Sequence, residues 1–73
     1  MGYNVEFHWD DEAQVWTATS KDIPGLVLES GSIDALIERV RFAIPELLAL
    51  NNLPGKEYVS FAFERQERLY AYG

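Results

Sequence analysis

Few side chains in this sequence have the chemical means to act, and their spacing decides what they could do. There is one histidine, His8, and no cysteine. A lone imidazole lacks the second nitrogen or sulfur ligand that a zinc site needs, and no thiol or assembled serine stands ready for it to activate. His8 therefore reads as an exposed residue on the polar side of a strand. Asp10, Asp11 and Glu12 are consecutive. Carboxylates crowded into a tight turn lack the spaced oxygens and the glycine of a dedicated calcium loop, so they read as solvated turn acids. Glu6 and Glu38 could serve two-metal phosphodiester cleavage, provided the fold brings carboxylates together on metals about 4 Å apart. No glycine-rich phosphate loop occurs. The expectation is no catalytic residue, no metal and no cofactor.

Positioning these groups falls to a chain of 73 residues, 48% hydrophobic and 14% aromatic. That is enough for one domain, residues 1–73, near the lower size limit for a core without disulfides or metal. No apolar run is long enough for a signal peptide or a membrane span, so a soluble cytoplasmic protein with no membrane partner is expected. The formal charge of −6 is uneven. Residues 1–34 hold seven acids against Lys21, whereas residues 35–73 balance five acids with five bases. The first half repels phosphate, and a basic protein is the better-matched partner.

Apolar Tyr3, Val5, Phe7 and Trp9 alternate with polar Asn4, Glu6 and His8, which marks a first strand buried on one side. If Asp10 to Ala13 closes a hairpin, Trp9 faces Gln14 and Phe7 faces Trp16, putting Val5, Phe7, Trp16 and Ala18 on one face. A one-residue slip would bring Val15, Thr17 and Thr19 there instead. Asp22-Ile23-Pro24-Gly25 reads as a turn, with proline fixing φ at its first central position and glycine free to take positive φ at the second. Leu26 to Glu29 follows as a third strand, whose continuous apolar character suggests burial on both faces.

Ser32 is a suitable N-cap, and Asp34 complements the positive end of the helix dipole. Ile33, Leu36, Ile37, Val40, Ile44, Leu47 and Leu48 then form one apolar stripe, while Glu38, Arg39, Arg41 and Glu46 face away. Pro45 predicts a kink or a fresh short helix. Asn51 to Gly55 stops the helix. Tyr58 to Arg65 is a fourth strand with Val59, Phe61 and Phe63 on one face, and Gln66 to Gly73 continues the alternation through Leu69, Tyr70, Ala71 and Tyr72. A right-handed crossover would lay the fourth strand beside the first and parallel to it.

The resulting fold class is α+β, a β-β-β-α-β chain with sheet order 3-2-1-4 and one long helix on one face. This is the order of a truncated ribonuclease H sheet, but the middle of the fourth strand, Val59 to Phe63, has no carboxylate to complete a nuclease site. The sheet face without a helix includes Thr17, Thr19, Tyr58 and Tyr70. An exposed apolar patch on so small a domain marks association, and a homodimer is expected.

The segments His8-Trp9-Asp10, Glu12 to Ser20, Asp22 to Leu26, Glu29, Ile33 to Val40 and Ala43 to Leu48 resemble the short, stand-alone branch of the HicB-like antitoxin family. The most telling part is an aromatic strand followed by Asp-x-Pro-Gly, a strand and a Ser-capped helix. The resemblance implies a partial ribonuclease H fold without catalytic residues, paired with a HicA-like toxin, a small basic RNA-cleaving protein that the antitoxin occludes. Longer members append a DNA-binding domain; here eight residues follow Arg65, so no direct DNA binding is expected. Asp10, Asp11, Glu12 and Asp22 are the candidate partner-binding residues, steering the approach of a basic protein. The alternatives are an oligomeric interaction domain without a toxin, and a minimal metal-dependent nuclease using Glu6 and Glu38.

Overall fold

A computed structural model describes residues 2–55 and 57–71. Strand β1 (Gly2–Asp10) pairs antiparallel with β2 (Val15–Thr19), β2 pairs antiparallel with β3 (Val27–Ser30), and helix α1 (Ile33–Leu50) leads to β4 (Tyr58–Glu64), which lies parallel to β1. The fold is α+β, a mixed four-stranded sheet in the order 3-2-1-4 with one helix.

The face of β1 and β2 expected to be buried is the buried one. Val5, Phe7, Trp16 and Ala18 pack against Leu36, Val40, Ile44 and Leu48 of α1, with Ile23 and Leu26 closing one end. Their pairing, however, is two residues away from the expectation. Trp9 stands opposite Trp16 and Phe7 opposite Ala18. The cause is Asp10, whose Oδ1 accepts from the backbone amides of Glu12 at 3.1 Å and Ala13 at 3.2 Å. This side-chain turn lets β1 continue through Asp10 and moves the loop to residues 11–14, where Gln14 takes φ 56°. A shift of two keeps side-chain parity, so the core survives the correction.

The Ile23–Leu26 turn forms as expected, with Leu26 N–H donating to Ile23 C=O at 3.3 Å and Gly25 at φ 88°. Leu26 belongs to that turn rather than to β3. Burial of β3 on both faces is not found: Val27 is 74% exposed, while Leu28 opposite Ala18 packs on the core.

Ser32 caps α1, its Oγ accepting from Ala35 N–H at 3.3 Å. The helix runs unbroken through Pro45, so no new helix starts there. Pro45 sits on the exposed side, and the stripe Leu36, Val40, Ile44, Leu48 holds both halves to one core. At the other end Leu53 N–H reaches Leu48 C=O at 2.9 Å and Asn52 N–H reaches Ala49 C=O at 3.3 Å, with Asn52 at φ 53°. That is a Schellman closure with asparagine in the left-handed position. Asn51 Nδ2 donates to Pro24 C=O at 3.2 Å, tying the helix end to the turn before β3.

β4 ends at Glu64, one residue short of the expectation, and carries Val59, Phe61 and Phe63 on the helix side. The Phe61 and Phe63 rings lie 5.2 and 4.7 Å from Phe7. Residues 66–71 do not form a strand, and Tyr72 and Gly73, to which the expectation extended, lie outside the described residues. Among the described residues no helix is long and apolar enough to cross a membrane.

Phe7 is the largest of the fully buried side chains and packs against Phe61 and Phe63 of β4. Phe7→Ala is expected to lose about 3–5 kcal/mol, a large share of a domain's roughly 5–15 kcal/mol. Ser32→Ala should lose only about 1 kcal/mol, with Ser32→Asp retaining the cap. Urea unfolding followed by far-UV circular dichroism checks both.

Candidate interaction surface

The helix covers one side of the sheet, and the other side is formed by alternate residues of all four strands. Strand register arranges these into rows. Glu29, Thr17, His8 and Glu64 follow one another across β3, β2, β1 and β4, and the neighbouring row is Val27, Thr19, Glu6 and Ala62. His8 Nε2 lies 3.5 Å from Glu6 Oε2, and Thr17 Oγ1 donates to His8 C=O at 3.4 Å. Three carboxylates, Glu6, Glu29 and Glu64, thus share a surface to which the strands contribute no lysine or arginine.

This corrects the apolar patch expected on that face. Thr17, Thr19 and Tyr58 are on it, but its surface is mainly polar and acidic, and Tyr70 lies beyond the sheet. Glu29 and Glu64 were missed as site residues. Strand parity was the signal that could have found them, since each occupies a polar position two steps or fewer from a strand end.

The four acids proposed from sequence are divided between the two ends of the sheet. Asp10, Asp11 and Glu12 come together in the β1–β2 loop. Asp10 caps the turn, and Asp11 Oδ1 accepts from Trp9 Nε1 at 3.0 Å and from Gln14 Nε2 at 3.2 Å. Across an open cleft of about 1000 Å³ they look toward Arg65 and Arg68. The Arg65 guanidinium lies 4.2 Å from the Trp9 ring centroid and is ion-paired with Glu67.

Asp22 is at the other end. Its Oδ2 accepts from Asn4 N–H at 2.8 Å, while Ser20 Oγ donates to Asn4 C=O at 2.6 Å and accepts from the amides of Asp22 and Ile23. These side chains take over the pairing of β1 where β2 stops. Nearby, Tyr3 OH donates to Pro54 C=O at 2.7 Å. Desolvation, then the charges of Glu57 and Asp22, hold the Tyr3 phenol above its ordinary value of 10.0.

The arrangement offers little to a metal. Glu6 is on the open face, whereas Glu38 is on the solvent side of α1, 3.1 Å from Arg41. The two point from opposite sides of the sheet and do not converge. Among the described residues no group of three or more His, Asp or Glu side chains is placed to hold a metal ion.

The loop contacts predict a split among the acids. Asp22→Ala should lower stability by about 1 kcal/mol, because it removes a charge-assisted bond to the Asn4 amide, whereas Glu12→Gln should leave it unchanged. Chemical denaturation of both variants reads this difference. The raised Tyr3 value adds a pH dependence with a definite sign. A folded value above the unfolded one contributes stability below pH 10 that is lost as pH rises through the folded value, and Tyr3→Phe should flatten that alkaline limb.

Comparison with curated proteins returns no match. Among solved structures, a hypothetical protein from the extremely thermophilic bacterium Thermus thermophilus, TTHA1013, superposes with a TM-score of 0.73 and 32% identity, over 97% of this chain and 100% of that one. Neither this likeness nor the family match supports membership of the HicB-like family. The model of a domain of unknown function, DUF1902, matches residues 2–72. Matched over nearly its whole length, the chain belongs to the DUF1902 family.

Proposed function

We propose that this domain is a binding protein that uses its open sheet face to hold a basic protein, and that it acts as the antitoxin of a HicA/HicB-type pair, occluding a small mRNA-cleaving toxin in the cytoplasm. The observation that carries this reading is the row Glu29–Thr17–His8–Glu64 with Glu6 beside it: carboxylates spread over a β-surface to which the strands contribute no lysine or arginine. Such a surface attracts a cationic partner, repels nucleic acid and speeds encounter, while apolar and hydrogen-bonded contacts set the lifetime. Asp10, Asp11 and Glu12 at one rim and Asp22 at the other extend the negative potential. The resemblance of the Asp-x-Pro-Gly, strand and capped-helix segments to HicB-like antitoxins supplies the class of partner. An interaction domain serving another basic protein is the second reading, favoured by the same face. The nuclease alternative draws no support from positions that keep Glu6 and Glu38 apart.

Co-expression with a small basic mRNA-cleaving toxin of the HicA type tests the proposal. The expected result is co-purification and relief of toxicity, with messenger RNA left uncleaved. Reversing Glu6, Glu29 and Glu64 to lysine should slow association by about tenfold or more and remove most of its salt dependence, without unfolding the domain. Toxin activity that persists unchanged in excess of this protein would sink the antitoxin reading.

A further inference from the structure

The corner where the β1–β2 loop meets the end of β4 lies on the helix side of the sheet, apart from the open face. Trp9 and Trp16 stand opposite each other in the strand register, and their rings, 5.6 Å apart and inclined at 57°, form a two-walled aromatic shelf. The shelf is braced. Trp9 Nε1 donates to Asp11 Oδ1, the same oxygen accepts from Gln14 Nε2, and Phe63 meets the Trp16 ring edge-on. A cation already sits on it: the Arg65 guanidinium carbon is 4.2 Å from the Trp9 ring centroid and 5.7 Å from that of Trp16. Asp10, Asp11, Glu12, Glu67 and Arg68 line the cleft around Arg65, so four carboxylates face two guanidinium groups and negative charge is in excess.

Arg65 is a loosely held occupant. β4 ends at Glu64, so Arg65 reaches the shelf from beyond the last sheet residue, and its ion-pair partner Glu67 is two positions further along the same segment. Both side chains stay open to water, at 45% and 38% exposure. An exposed cation over a ring and an exposed ion pair each shift an equilibrium by about fivefold or less. Guanidinium is also the cation that suits the shelf. Its flat, weakly hydrated plane stacks on an indole while its edge donors reach carboxylates, whereas an ammonium is compact and strongly hydrated.

We propose that the Trp9–Trp16 shelf, with the carboxylates of Asp11 and Glu12, is a binding site for arginine side chains of a partner protein, and that Arg65 and Arg68 hold it as an internal stand-in which an incoming basic segment displaces. Arg65 shows which chemistry the shelf accepts. The excess of carboxylates draws in a second basic segment even while the first is in place. Residues 65–68 then act as a competitor tethered beside its own target. They reduce the fraction of molecules with an open shelf, and with it the apparent affinity for a ligand, so the site favours segments that present more than one arginine. Any arginine-bearing protein meets this requirement, so the inference does not depend on the partner being a toxin.

An NMR titration of the full chain with an Arg-Gly-Gly-Arg peptide reads the site directly, because Trp9 and Trp16 are the two tryptophans of the sequence and each has its own indole N–H signal. The peptide should shift the Trp9 indole and the β1–β2 loop, and Lys-Gly-Gly-Lys should bind about fivefold more weakly. Arg65→Ala with Arg68→Ala removes the stand-in, so the peptide Kd should fall by about fivefold or more with circular dichroism unchanged. Adding Asp11→Asn, a loop change that leaves the core intact, should raise it again. Three results overturn the proposal: a double-alanine variant that binds the peptide no more tightly than wild type, a lysine peptide that binds as well as the arginine one, and shifts confined to Glu6, His8 and Glu29 on the open face. No toxin enters this titration, so its outcome is separate from that of the antitoxin reading.

Discussion

One helix, about 10 Å across, cannot cover four strands spaced about 4.8 Å apart. Which half of the sheet it covers therefore shapes everything else. Here the backbone of α1 comes closest to β3 and β2. Local connections enforce that choice. Ser32 starts the helix directly after β3, Arg39 donates to Glu29 C=O at 2.9 Å, and Asn51 holds the far end to Pro24. Toward β4 aromatic rings add to the cover of the helix, and Phe7, Phe61, Phe63, Trp9 and Trp16 meet there in stacked, tilted and edge-on contacts. Phe63 nonetheless stays 52% exposed.

Much of this architecture was legible because it rests on periodicity. The alternation of Tyr3 to Trp9, the three-and-four spacing from Ile33 to Leu48, and the Pro24-Gly25 turn each have one physical solution, and together they give the strand order. Register was not legible. It depends on whether the Asp10 carboxylate turns back on the amides of Glu12 and Ala13, a choice between backbone and side-chain partners that apolar spacing does not record. Leu26 misled for a similar reason, since its burial comes from the turn and not from a two-sided strand. Proline chemistry alone predicts an interruption at Pro45, yet its ring lies on the solvent side of a helix held by four buried residues.

The candidate surface was legible only as a total. An acidic first half is visible in the sequence, but not that Glu64, from the balanced half, joins Glu29 and Glu6 beside His8. Only the parallel pairing of β4 with β1 creates that row. Conversely, Asp10, Asp11 and Asp22 stood out as charges and proved to be bonded to turns and strand ends. The two sides of the sheet consequently differ in kind: one is hydrogen-bonded, charged and flat, and the other is apolar and half roofed.

The β1–β4 ladder also bears on how the chain is made. Residues Gly2 to His8 find their parallel neighbours only at Tyr58 to Glu64, so during synthesis the central strand waits with one side bare until the helix and the strand after it have left the ribosome. The β1–β2 hairpin can close early because its contacts are local, whereas the final long-range pairing comes late and governs the rate. In the interval Phe7 has Trp16 and Ala18 for shelter but not Phe61 or Phe63, which makes the nascent hairpin the form most exposed to chaperones and to self-association.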